Sequence, residues 1–145
     1  MVLSKELLLQ RTKTSDAAPA GLEKTDGEIA SSLQLAIAAA RTADENRGRD
    51  IVVLDLRKLT CMFDYFVIVS GTSRRQLHAI SEEIDDQLQG ELNDERMGIE
   101  GYADSRWILL DYGTVVIHMF DDETRKYFAL EDLWAEAPHL DWKNA

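Results

Sequence analysis

Residues 50–77 read DIVVLDLRKLTCMFDYFVIVSGTSRRQL, and the fold turns on this stretch. Asp50–Leu56 and Tyr65–Ser70 are short runs of β-branched and aromatic residues bounded by polar ones, the pattern of two buried strands. Only residues 57–64 join them. A helical crossover needs more chain than that, so a tight, antiparallel connection is expected. Gly71 ends the second strand. Ser73 and Gln76 then have capping-box spacing, and Leu77, Ile80, Ile84 and Leu88 recur on one helical face, which predicts a helix ending near Gly90.

Working outward toward the N-terminus, Thr25 and Glu28 repeat the capping spacing ahead of Ile29, Leu33, Ile37 and Ala40. A helix to about Asn46 follows, with Gly48 placed to end it. Residues 10–28, QRTKTSDAAPAGLEKTDGE, have no apolar period and carry Pro19 and Gly21, so residues 1–26 are expected to form a flexible arm. In the other direction, Met97–Glu100 reads as a short edge strand. Trp107–Asp111 and Val115–Phe120, joined by Tyr112-Gly113, read as a hairpin. Asp121, Asp122 and Glu123 open a last helix with Tyr127, Leu130 and Trp134 facing inward, and Pro138 stops it. The expectation is one α/β (α+β) domain over residues 27–137, a mixed sheet of four or five strands with covering helices, and a tail over 138–145.

Composition bounds the function. Of 145 residues 45% are apolar, enough for one core. Against 16 Lys and Arg stand 27 Asp and Glu, a net charge of -11, so a phosphate backbone would repel the chain. Little or no direct nucleic-acid binding is expected, whereas encounter with a basic protein would be favoured. The single cysteine, Cys61, excludes an internal disulfide and a Cys-based zinc cage, fits the reducing cytosol, and reads as a small buried hydrophobe. No apolar run reaches the roughly 18 residues of a membrane span. Leu7–Leu9 with Arg11 and Lys13 have the outline of a transit peptide, but Glu6 and the shortness of the run count against it.

Chemistry is sparse. Ser70–Ser73 lies between a strand and a helix N-terminus, where backbone N–H groups can hold an anion, but it lacks the glycine spacing of a nucleotide fingerprint and Ser73 is explained as an N-cap. Arg74 and Arg75 oppose the helix dipole at about 0.3 to 1 kcal/mol each, which asks for an acidic answer: a carboxylate of this chain first, a partner second. The strand, Gly-Ser-like turn and helix are similar to nucleotidyltransferases. Those enzymes need paired carboxylates on the next strand to hold magnesium, and Asp85-Asp86 sits instead on a helix, pointing two ways. His78, His118 and His139 share no ligand spacing, and His118, alternating with Val116 and Phe120, reads as structural. No G-x-S-x-G exists. No catalytic, metal or cofactor constellation emerges. What remains is Glu100–Gly113, where alternation puts Trp107, Leu109 and Asp111 on one face and Ile108, Leu110 and Tyr112 on the other. One face enters the core, and the other is covered by a helix or by another molecule.

In series, DIVVLDL, then DYFVIVSGTSRRQLHAI, then EG with DSRWILLDYGTVVIHMF, then RKYFALEDLW resemble the ribosomal silencing factor (Iojap) family over about residues 30–137. The resemblance implies a nucleotidyltransferase-like domain without the active site. It implies a cytoplasmic non-enzyme that needs no cofactor and no membrane. Such a protein binds ribosomal protein L-fourteen on the large ribosomal subunit, keeps the small subunit away and lowers translation when nutrients are scarce. By position, the family's docking surface falls on Gly101, Asp104, Ser105, Trp107, Leu109, Asp111 and Tyr112, with Trp107 as anchor. Tyr112 stands where members often carry a smaller aliphatic residue, and members can form homodimers. The alternative is a nucleotide-binding enzyme using Ser70–Arg75 as its phosphate site.

Overall fold

The computed structural model describes residues 26–90, 92 and 96–145, so the Thr25 cap and all but the last residue of the expected arm lie outside the described residues. In chain order the elements are α1 (Asp26–Glu45), β1 (Arg49–Asp55), β2 (Tyr65–Gly71), α2 (Arg74–Gly90), β3 (Gly98–Glu100), β4 (Trp107–Asp111), β5 (Val115–Asp121), α3 (Asp122–Phe128) and α4 (Leu130–Leu133). The strands form one mixed sheet in the order β1-β2-β5-β4-β3. β1 and β2 pair antiparallel, as the short connection requires. The hairpin of β4 and β5 and the edge strand β3 are antiparallel too. Only β2 and β5 run parallel, because the chain leaves β2 through α2 and the β3–β4 meander before it returns.

β2 is buried along its whole length, which is why it reads as an unbroken apolar run. Alternation divides the core in two. Tyr65, Val67 and Val69 of β2, Ile108 and Leu110 of β4 and Ile117 and Met119 of β5 meet α1 and α2, while Phe66, Ile68, Trp107, Leu109, Val116 and Phe120 meet Leu130, Trp134 and Ala137 on the opposite face.

Helix α1 lies rotated from its expected face. Leu35, Ala36, Ala39, Ala40 and Ala43 are buried, while Leu33 and Ile37 are half-exposed. Small side chains let the helix axis approach the sheet, and that contact outweighs the burial of one larger residue. At its C-terminus Arg47, not Gly48, takes the left-handed conformation (φ 65°). Gly48 is needed for space, since a Cβ there would lie 2.7 Å from Val69 Cγ1. The last helix is broken at Ala129 (φ 46°), so Tyr127 points to solvent at 81% exposure and Phe128 packs inward in its place. Cys61 is half-exposed on the β1–β2 connection and is not the buried hydrophobe expected.

The C-terminal segment is part of the fold. Asp55 N–H donates to Pro138 O at 2.9 Å and Leu140 N–H to Val53 O at 2.8 Å, so residues 138–140 cover the free edge of β1. Trp142 closes one end of the α1 side of the core, 8% exposed, and its indole N–H donates to Ile51 O.

Candidate functional site

Both faces of β4 are filled by this chain itself. Trp107 is 3% exposed; its ring stacks on Phe120 (centroids 4.9 Å apart), leans on Phe128 (4.7 Å), and its N–H donates to His118 Nδ1 at 3.1 Å. That nitrogen therefore carries no proton, and His118 is a structural histidine, edge-on to Phe66 at 4.6 Å. On the opposite face the Tyr112 hydroxyl donates to Asp85, which also pairs with Arg96. Burial first, and Asp85 second, push the Tyr112 phenol well above its ordinary pKa. Asp111 is buried at the start of the β4–β5 turn and accepts from Gly113 N–H at 2.8 Å. Burial raises its carboxyl above the usual range and the Gly113 bond offsets part of that.

Gly101–Arg106, between β3 and β4, projects from this scaffold. Ala103, Asp104 and Arg106 are exposed, while Ser105 is buried. Gly101 (φ 76°) and Ser105 (φ 62°) are left-handed, and Ser105 N–H closes the loop onto Gly101 O at 2.8 Å. Helix α2 braces it: Arg74 Nη2 donates to Ala103 O at 2.7 Å, and His78 Nε2 lies 2.7 Å from Tyr102 O and 2.6 Å from Ser105 Oγ. Arg74 is thus answered by a backbone carbonyl and not by the carboxylate expected, and Arg75 is exposed on the same turn.

The Ser70–Arg75 segment has little left for a phosphate. Ser70 Oγ accepts from Arg125 Nη1 at 2.7 Å, Ser73 Oγ caps Gln76 N–H at 3.1 Å, and the Gln76 side chain turns back to accept from Thr72 N–H at 2.6 Å. The neighbouring crevice of about 570 Å³ contains Arg49, Arg125 and Lys126, but Asp122 pairs with Arg49 at 2.8 Å and Glu131 with Arg125 at 2.7 Å. Two of its three cations are already neutralised. Asp85 and Asp86 diverge on α2, half-buried and exposed respectively.

Residues 29–145 match the family described as "Ribosomal silencing factor during starvation". The chain belongs to the ribosomal silencing factor family. Its relatives include the ribosomal silencing factor of Bacillus subtilis, 42% identical over 71% of this chain and 86% of that protein. The chloroplastic Iojap protein of Zea mays is 31% identical over 75% of this chain and 47% of its own length. A mouse protein named for mitochondrial assembly of the ribosomal large subunit is 37% identical over 62% of this chain and 40% of its own length. Among solved structures, a Chromobacterium violaceum protein superposes with a TM-score of 0.67 at 31% identity, covering 70% of this chain and 84% of that one. A Bacillus halodurans protein superposes at 0.62 and 34% identity, covering 75% and 95%. The family match runs through the C-terminal segment, which the sequence reading set apart as a tail.

Within this family member the residues expected to dock divide by exposure. Asp104 is exposed and Gly101 half-exposed, whereas Ser105, Trp107, Leu109, Asp111 and Tyr112 are each 5% exposed or less. Trp107 is a core residue of the free chain, packed against Phe128 in the cluster that also holds Trp134, and is not an exposed anchor. Sequence reading did not single out His78 or Glu82 as bracing the loop. Their spacing of four residues, with Arg74 four before, was the available signal, masked because the apolar stripe of α2 takes all the periodicity one looks for.

Proposed function

We propose that this chain is a steric silencer of the ribosome, binding the large ribosomal subunit through ribosomal protein L-fourteen and occupying space the small subunit needs, so that translation falls under nutrient limitation. The observation that carries this reading is the match of residues 29–145 to a family named for ribosomal silencing. The names of the relatives, including one for ribosomal large subunit assembly, support a ribosomal partner. A net charge of -11 suits approach to a basic protein better than to bare RNA. Contact is made by the accessible part of the expected surface, Gly101 and Asp104, and the buried Ser105, Trp107, Leu109, Asp111 and Tyr112 hold that surface in shape. Exclusion needs no turnover, so the protein acts in the cytoplasm as a non-enzyme and one copy per subunit suffices.

Co-sedimentation with purified large subunits, followed by addition of small subunits, tests the reading. The wild-type chain should pellet with large subunits and hold back joining. Asp104→Lys replaces an attraction by a repulsion and should weaken binding at least about tenfold with an unchanged melting temperature. A chain that stays in the supernatant, or that pellets without hindering joining, overturns the proposal.

A further inference from the structure

The loop that presents Asp104 is held by three side chains on one stripe of α2. Arg74, His78 and Glu82 follow one another at intervals of four residues, so they lie in a row along the helix. Arg74 Nη2 donates to the Ala103 carbonyl at 2.7 Å. The His78 ring lies flat on the Tyr102 ring, centroids 4.1 Å apart and planes within 10°. The Tyr102 hydroxyl donates to Glu82 Oε1 at 2.6 Å, and that carboxylate raises the phenol's pKa. Two oxygens face His78 Nε2, the Tyr102 carbonyl and Ser105 Oγ, and a carbonyl can only accept. Nε2 therefore carries a hydrogen, in a bond open to both the neutral and the charged ring. Ser105 Oγ also lies 2.9 Å from the Tyr102 carbonyl, which anchors a non-glycine residue in the left-handed region.

Directing the Tyr102 and Ala103 carbonyls onto the helix leaves the next side chain, Asp104, pointing to solvent on a closed loop. We propose that His78, with Arg74 and Glu82, is a positioning clamp that sets the Gly101–Arg106 loop in its docking shape before a partner arrives, and so presents Asp104 as a fixed anion for a cationic side chain of a basic protein. The clamp rests on the reading that this loop docks. Its physical effect is preorganisation. A loop that takes its docking shape only about a tenth of the time binds about tenfold more weakly, with no contact to the partner removed.

The experiment measures amide hydrogen exchange of the loop and co-sedimentation with purified large subunits, on the full chain, for His78→Leu, His78→Gln, Ser105→Gly and Asp104→Lys. His78→Leu should raise exchange across Ala103–Arg106 and weaken binding about tenfold. His78→Gln, whose amide N–H can still reach the Tyr102 carbonyl, should recover part of both. Ser105→Gly removes the hydroxyl anchor where the backbone suits glycine, so it keeps the fold and should loosen the loop even if His78→Leu fails to fold. Unchanged loop exchange in His78→Leu and Ser105→Gly overturns the clamp, as does faster exchange with undiminished binding while Asp104→Lys still weakens it. If Asp104→Lys binds as wild type, the docking reading falls and the clamp's role in docking falls with it.

Discussion

Trp107 and Asp111 lie four residues apart on one face of β4 and have different physical roles. Trp107 is packed against Phe120 and Phe128, so Trp107→Ala should cost about 3 to 5 kcal/mol of folding stability through lost burial and a residual cavity, read by urea unfolding. A loss under about 1 kcal/mol would return this side chain to the surface. Trp107→Phe keeps the ring stack but removes the donor to His118 Nδ1 and should cost about 1 to 3 kcal/mol. Asp111 has a raised folded pKa, chiefly from burial. Its folded carboxyl keeps its proton to higher pH than in the unfolded chain, so its contribution is most favourable below the ordinary carboxylate pKa. That contribution is lost as pH rises through the folded value. Asp111→Asn keeps an oxygen for Gly113 N–H without the buried charge. It should equal or exceed wild type in stability at neutral pH and remove this part of the acid-range pH dependence. A marked loss at neutral pH would show that the charge itself is required.

The elements differ in how firmly a local pattern defines them. α2 buries the stripe Leu77, Ile80, Ile84 and Leu88 that its periodicity announces. α1 instead buries a face of alanines, because its neighbours are close enough to accept only small side chains. The C-terminal segment shows the same dependence on context. It has no period of its own, yet it covers the β1 edge and inserts Trp142. Truncation after Ala137 should cost at least about 2 kcal/mol from the lost tryptophan burial alone, and the uncovered edge should promote self-association. Thermal unfolding and light scattering check this, and a truncated chain as stable and monodisperse as the full one would contradict it.

As a molecule, the domain covers both faces of its central strands β2, β4 and β5 and offers a partner its loops and its charge. Attraction of an acidic body to a basic protein is screened by salt, and so is the Asp104 ion pair, whereas the shape of a preformed loop and its uncharged contacts are not. Large-subunit binding should therefore weaken several-fold as ionic strength rises to about 0.3 M and then persist, as measured by co-sedimentation across a salt series. Binding that vanishes by that point would indicate a wholly electrostatic contact.

The sequence by itself determined the strand pairings on either side of residues 57–64 and of the Tyr112-Gly113 turn, the apolar face of α2, and the place of Asp85-Asp86 on that helix. These follow from spacing within a dozen residues, where alternation and turn chemistry act locally. It also carried the family, through four motifs in order. Only the tertiary structure decided which face of β4 would be covered by this chain, because Phe128 reaches Trp107 from beyond β5, and nothing in the alternation of WILLD encodes that neighbour. The break at Ala129, which turns Tyr127 outward and Phe128 inward, is likewise set by packing against the sheet. So is the bracing of the Gly101–Arg106 loop: Arg74, His78 and Glu82 are ordinary polar positions on a helix until the fold brings side chains and carbonyls 20 to 29 residues away in the chain onto them. A single residue's environment is a sum over contacts distant in sequence, and those distances close only when the sheet is assembled.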